Sequence, residues 1–375
     1  MQGFDFLYGP RVRSGPGVSA RIAELLPAGR CLFVSDSIVR ALGLADAALA
    51  GLDDVVIFDA VEQDPSRETL MAAVAAGEGA VSVVGFGGGS PMDVAKLAAY
   101  LIGTGEDLDD LWGVGKATGQ GLPLVLVPTT AGTGSEATPV SVITVGATEK
   151  KGASSAALIA DWALLDPELT LGLPRHVTAA TGIDAMVHAI EAYTSARLKN
   201  PVSDMLAREA LRLIDANLVI ACDEPGNVEA RSAMLLAAHL AGVAFANAPV
   251  AGVHALAYPL GGHFHVPHGL SNALMLPHVL GHNMHAAMDL YAELGALLDP
   301  DAAVQGRQAQ ASGFVSRLVR LSERCGLPQR LAEVGVAAEH LDLLASEAMK
   351  QERLLVNNPC PIGEADARRL YEAAL

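Results

Sequence analysis

Ala80-Val-Ser-Val-Val-Gly-Phe-Gly-Gly-Gly-Ser-Pro-Met-Asp-Val-Ala-Lys96 passes from a β-branched run, through a glycine triplet, into helical spacing. The apolar run predicts a buried strand over Ala80–Gly85. Ser90 suits the N-cap of the following helix, Pro91 its first position and Asp93 the third residue of a capping-box-like start. A glycine turn entering a helix presents free backbone N–H groups at the positive end of the helix dipole. That arrangement suits a pyrophosphate, and an unliganded tight turn fits the same residues. The pattern is not GxGxxG, so the standard dinucleotide fingerprint is absent.

The same alternation extends to both sides of this stretch. Arg30-Cys-Leu-Phe-Val-Ser35, Asp54-Val-Val-Ile-Phe58 and Leu122-Pro-Leu-Val-Leu-Val127 read as buried strands, while Val18–Leu26 and Ser66–Ala76 have helical spacing. Strand and helix in turn imply a parallel sheet covered on both faces. After about Pro174 the character changes to long Ala/Leu-rich stretches: 179–196, 201–217, 228–247, 289–298 and 308–325. The expected architecture is therefore an α/β, Rossmann-like dinucleotide-binding domain over residues 1–174 and an all-α helical domain over residues 175–375.

With 375 residues, 51% hydrophobic and 18% charged, the chain can bury two cores. A formal charge of -17 argues against nucleic acid or an anionic membrane surface as partner. Cys31, Cys222, Cys325 and Cys360 are far apart and form no CxxC pair, which favours a reducing, cytoplasmic setting. The first residues lack the basic and apolar regions of a signal peptide. The apolar stretch 233–246 falls short of the roughly 20 residues a bilayer span needs, so it reads as a core helix. Scarce aromatics with abundant Ala and Gly suggest closely packed helices.

Chemistry-bearing residues concentrate in the helical half. Asp184 and His188 stand four apart in a helical segment, so a carboxylate and an imidazole share one face. His254 and His268 follow in Gly252-Val-His-Ala-Leu-Ala-Tyr-Pro259 and Val266-Pro-His-Gly-Leu-Ser-Asn-Ala273. Three imidazoles and one carboxylate suit a divalent metal such as zinc or ferrous iron, although a lone Asp/His pair is common on solvated helices. In the first half, Asp36 ends a strand where an acidic side chain can bond both hydroxyls of an adenosine ribose and repel a 2′-phosphate, or simply cap the next helix. Thr129, Thr130, Thr133 and Ser135 crowd a loop after another strand end.

Gly87–Lys96, Pro128-Thr-Thr-Ala-Gly-Thr-Gly-Ser-Glu136, the Asp184/His188 helix and Asn357-Asn-Pro-Cys-Pro-Ile-Gly363 occur in an order that resembles the iron-containing (group III, metal-dependent) alcohol dehydrogenases, over nearly the whole chain. The resemblance implies reversible hydride transfer between an alcohol (primary alcohol, diol or hydroxy acid) and NAD, with a divalent metal, Fe2+ or Zn2+, polarising the oxygen. It implies Asp184, His188, His254 and His268 as ligands and Asp36, Gly87, Gly88, Gly89, Ser90, Asp93, Thr129, Thr130 and Thr133 at the cofactor. It also implies Lys150 or Lys151 near the cofactor ribose, although a plain exposed lysine is the favoured reading for at least one of them, and a homo-oligomer, dimer or larger. Glu191, one turn past His188, is a candidate to orient a ligand. Tyr258 departs from the pattern, standing where many relatives carry a further histidine, and is a candidate pocket residue. His263, His265, His278, His282 and His285 match no ligand position. Two alternatives remain: an NAD-using lyase of the dehydroquinate synthase type, which needs basic residues scarce between 179 and 283, and a catalytically inactive metal-binding homologue.

Overall fold

The computed structural model describes residues 3–146 and 149–375. The chain divides into two compact units, Leu7–Gly172 and Leu173–Leu375, the latter joined by the N-terminal stretch ending at Phe6.

Among its described residues the first unit has nine strands: β1 (Arg11–Ser14), β2 (Cys31–Val34), β3 (Val55–Phe58), β4 (Ser82–Gly87), β5 (Gly113–Val114), β6 (Leu124–Pro128), β7 (Val140–Val145), β8 (Glu149–Ser154) and β9 (Trp162–Leu165). Its helices are α1 (Ser37–Ala41), α2 (Asp46–Leu49), α3 (Arg67–Ala76) and α4 (Gly89–Thr104). Six strands form a parallel sheet in the order β1-β9-β6-β4-β2-β3. Side-chain alternation splits the strands cleanly between two cores. Phe33, Val84, Phe86, Val125 and Val127 pack on one face with Val39 and Ala48 of α1 and α2. Leu32, Val34, Val83, Leu124 and Leu126 pack on the other with Leu70 of α3 and Met92 and Leu97 of α4. From β2 the chain moves to β3 on one side and then to β4 on the other. The switch point therefore lies between the carboxyl ends of β2 and β4, where open α/β sheets place their ligand crevice.

Three features differ from the sequence expectation. Helix α4 begins at Gly89, with Gly88 as an N-cap that makes no side-chain cap bond, so Ser90 is not the cap and Pro91 is the third helical residue. Gly87 takes φ +151°, which only glycine adopts readily, and turns the chain before Ser90 is reached. Pro91 fits there because the first N–H groups of a helix have no intrahelical acceptor. A second sheet, β5-β8-β7, with β7 and β8 antiparallel, was not expected; Glu149-Lys-Lys-Gly152 of β8 is polar and carries no strand signal. Strand β1 is likewise short and charged; it pairs through its backbone with β9, where Arg11 and Arg13 lie over the Trp162 ring.

Among its described residues the second unit has helices and no strand: α5 (Arg175–Thr194), α6 (Pro201–Asp223), α7 (Val228–Asn247), α8 (Gly252–Phe264), α9 (His268–Leu298), α10 (Arg307–Arg324), α11 (Leu341–Met349), α12 (Glu352–Leu355) and α13 (Glu364–Ala374). The starts follow cap chemistry: Asn200 accepts from Ser203 N with Pro201 at the first position of α6, and Asn227 accepts from Ala230 N at α7. Helix α5 is buried on nearly every side and packs against α6, α7 and α9. Helix α7 is long and apolar enough to cross a membrane by length and composition, yet most of it is buried against its neighbours. Helix α9 runs unbroken through Pro277, so the expected 289–298 segment is only its last third.

Candidate active site

The metal-type residues meet inside the helical unit. Asp184 and His188 project from α5, His254 from the first turn of α8 and His268 from the first residue of α9. One ligand atom from each lies within 4.8 Å of every other. Asp184 Oδ1 is 4.0 Å from His188 Nε2, 3.8 Å from His254 Nε2 and 3.6 Å from His268 Nε2. Bonds of about 2.0–2.2 Å to one ion put donor atoms roughly 3–4 Å apart, so the set fits a single divalent metal. Burial would raise the Asp184 carboxyl, but the imidazoles of His188, His268 and His254 and the Asn272 amide outweigh it and hold it below its ordinary value.

Backbone packing brings these side chains together. Gly269 follows His268, and a Cβ there would stand 2.3 Å from the carbonyl oxygen of Ala180 on α5, so only glycine lets α9 seat this close to Asp184. His188 stacks between Phe245 of α7 and His254, with ring centroids 4.4 and 4.8 Å away. Glu191 supports His254 rather than its own helix neighbour His188. Its Oε2 lies 2.6 Å from His254 Nδ1 and accepts from Ala251 N, while Oε1 accepts from Val253 N. A buried carboxylate at the amino end of α8 thus caps that helix and fixes the imidazole with Nε2 turned toward the cluster. The tail motif is also accounted for. Asn357 Nδ2 donates to Val250 O just before α8, and Asn358 exchanges amide bonds with Asn283 on α9.

The side chains of Asp184, His188 and His254 are 2–5% exposed, whereas that of His268 is 42% exposed. The open approach therefore runs past His268, where the Tyr258 ring stands tilted at 5.7 Å. The other histidines lie elsewhere: His263 is 3.9 Å from Glu347, His282 meets Pro361 O, and His285 Nε2 is 3.8 Å from Cys360 Sγ.

In the first unit, Asp36, the glycine triplet and the threonine loop gather at the carboxyl ends of β2, β4 and β6. Asp36 Oδ1 caps α1 by accepting from Ile38 N and Val39 N. Its Oδ2 faces Gly87, 3.1 Å from where a Cβ would stand. Thr129 N donates to Gly87 O, and Thr130 and Thr133 flank Gly88 and Gly89. Asp93 is engaged with protein: Oδ1 accepts from Ser135 Oγ and Lys96, and Oδ2 from Val142 N. Lys96 is buried and donates to Ser135 Oγ, Thr138 Oγ1 and Val140 O. Burial pushes its ammonium down, against the opposing charges of Asp93 and Glu136. Lys150 pairs with Asp64, and Lys151 lies 4.0 Å from Glu149.

Two family models match nearly the whole chain, an iron-containing alcohol dehydrogenase model over residues 9–167 and the Fe-containing alcohol dehydrogenase C-terminal model over residues 178–375. The chain belongs to the iron-containing alcohol dehydrogenase family. It is 41% identical to long-chain-alcohol dehydrogenase 1 of Geobacillus thermodenitrificans (strain NG80-2), covering 93% of this chain and 90% of that one. It is 35% identical to the NAD-dependent methanol dehydrogenase of Bacillus methanolicus, with 96% and 95% covered. A crystal structure of a 1,3-propanediol oxidoreductase superposes over 100% of both chains, with a TM-score of 0.95 and 34% identity.

As an iron-containing alcohol dehydrogenase, the protein is an oxidoreductase that uses NAD and a divalent metal to interconvert alcohols and carbonyl compounds. One residue of this alcohol dehydrogenase's cluster escaped the sequence reading. Asn272 stands one turn after His268 and reaches the same point, a position its i, i+4 spacing from a candidate ligand would have flagged.

Proposed function

We propose that Asp184, His188, His254 and His268 hold the metal in a helical domain spanning roughly residues 175–375, and that residues 1–174 form the NAD-binding domain. The observation that carries this reading is the convergence of four ligand atoms from three helices inside 4.8 Å, with a buried carboxylate behind one imidazole. When bound, the metal supplies a Lewis acid for the alcohol or carbonyl oxygen and NAD supplies the hydride acceptor. Imidazole and carboxylate accept ferrous iron and zinc alike.

The chain's own residues do the rest. Glu191 accepts a hydrogen bond from Nδ1–H of His254 and leaves Nε2 as the atom free to bind the metal. Gly87, Gly88, Gly89 and Ser90 offer backbone N–H groups to the diphosphate at the start of α4. Asp36 would accept from the ribose hydroxyls, favouring NAD over NADP, and Thr129, Thr130 and Thr133 would line the same crevice. Asp93 acts in this set by holding Ser135 and Val142, through which it steadies the loop. Tyr258 walls the approach beside His268 as a pocket residue.

The substrate class is a primary alcohol, a diol or a hydroxy acid, supported by relatives named for methanol, long-chain alcohols and 1,3-propanediol. Four free cysteines support a cytoplasmic setting. Val12, exposed on the outermost strand β1, supports a homo-oligomer.

The test is NADH formation across such a panel with chelator-stripped protein reloaded with Fe2+ or Zn2+. Activity should require metal and fall by about three orders of magnitude or more in Asp184→Ala, a loss of roughly 4 kcal/mol in transition-state stabilisation. Equal rates with and without metal would overturn the ligand assignment.

A further inference from the structure

We propose that Asn272 is a positioning residue that closes one face of the metal cluster. The proposal rests on the four-ligand reading above and concerns a residue outside that set. Asn272 is fully buried on α9, and its Nδ2 lies 2.6 Å from Asp184 Oδ1, 3.2 Å from His254 Nε2 and 3.3 Å from His268 Nε2. A carboxylate oxygen only accepts, so the atom turned to Asp184 is the amide nitrogen and the bond is a donation from Asn272. One nitrogen within 3.3 Å of three ligand atoms stands over the triangle they define.

The other end of the amide sharpens the point. Asn272 Oδ1 is buried without a hydrogen-bond partner. Folded proteins seldom leave such an atom unpaired, and a leucine of similar size would fill the space without that penalty. The polar group is explained by what its nitrogen does. It fixes which Asp184 oxygen faces the imidazoles, and it keeps water and substrate from the Asp184–His254–His268 face. Access is left on the side of His268, the one ligand with an exposed side chain. Asn272 thus selects the direction from which an alcohol reaches the cluster.

The experiment uses the full chain, stripped by chelator and titrated with Co2+ as a spectroscopic probe. Affinity is read by chelator competition and coordination by the visible absorption of the bound ion. Asn272→Ala should weaken Co2+ binding about 10- to 100-fold and lower the molar absorption, because water enters the opened face and raises the coordination number. Asn272→Leu keeps the volume and removes the donor; it should weaken binding while leaving the absorption close to the parent's, and it guards against a fold effect of the smaller side chain. Parent-like affinity and spectrum in both variants would overturn the proposal while leaving the four-ligand reading intact. Undiminished Co2+ binding by Asp184→Ala would overturn both.

Discussion

In the cofactor site proposed for the first unit the atoms offered to a ligand are mostly backbone groups at strand ends, gathered by Gly87, Gly88, Gly89 and the hydroxyl loop. In the second they are side-chain atoms on α5, α8 and α9, buried and fixed by further side chains such as Glu191. A backbone site is specified by what is missing, namely Cβ atoms, and its sequence sign is a run of small residues. A side-chain site is specified by what is present, and its sign is a scatter of His and Asp whose meaning depends on packing. Glycine serves both, as a conformer in the first unit and as a clearance in the second, and that contrast can be broken experimentally.

The largest effect belongs to clearance. Gly269→Ala sets a methyl against the carbonyl of Ala180, an atom that cannot step aside, and should cost about 3 kcal/mol of stability. Metal content measured on the purified variant should fall well below one ion per chain while NAD binding persists; unchanged metal content would show that the helix approach does not assemble the cluster. Next comes the conformer. Gly87→Ala must hold φ near +151° with its Cβ 2.8 Å from Pro91 and 3.1 Å from Asp36 Oδ2, a strain of order 1–3 kcal/mol. The KM for NAD should rise about tenfold or more with metal content unaltered, and an unchanged KM would remove the glycine turn from the cofactor site. The smallest effect is at Asp36. Asp36→Ser keeps a capping oxygen for α1 and removes the charge, so stability should change by a few tenths of a kcal/mol. The ratio of kcat/KM for NAD to that for NADP should drop by about tenfold, and a constant ratio would leave Asp36 as a helix cap alone.

The sequence made the sheet and the helical half legible because both rest on apolar periodicity: Cys31–Val34 and Val55–Phe58 lie within their expected runs, and Val228–Asn247 ends where its apolar pattern ends. The start of α4 was misplaced because cap rules read side chains, and the turn was made two residues earlier by a glycine backbone. Strands β1 and β8 were invisible because they are polar segments paired through main-chain bonds. The residues named as ligands converge; of their supports, Glu191 was a candidate by its spacing, but which imidazole it serves did not show in the pattern. Glu191 lies a turn from His188 in sequence and bonds His254 on another helix. Asn272 looks like an ordinary helical amide until α9 is laid against α5.

The buried Lys96 ammonium has a kinetic meaning beyond its bonds. It joins Ser135, Thr138 and Val140 to α4, while Thr129 is held to Gly87 at the other end of the same loop. A segment of so few residues, moored at both ends to the helix and strand that flank the glycines, has little freedom left to surrender when a dinucleotide arrives. Its amide protons should exchange slowly for a surface loop, and cofactor entry should proceed without a slow loop-ordering phase.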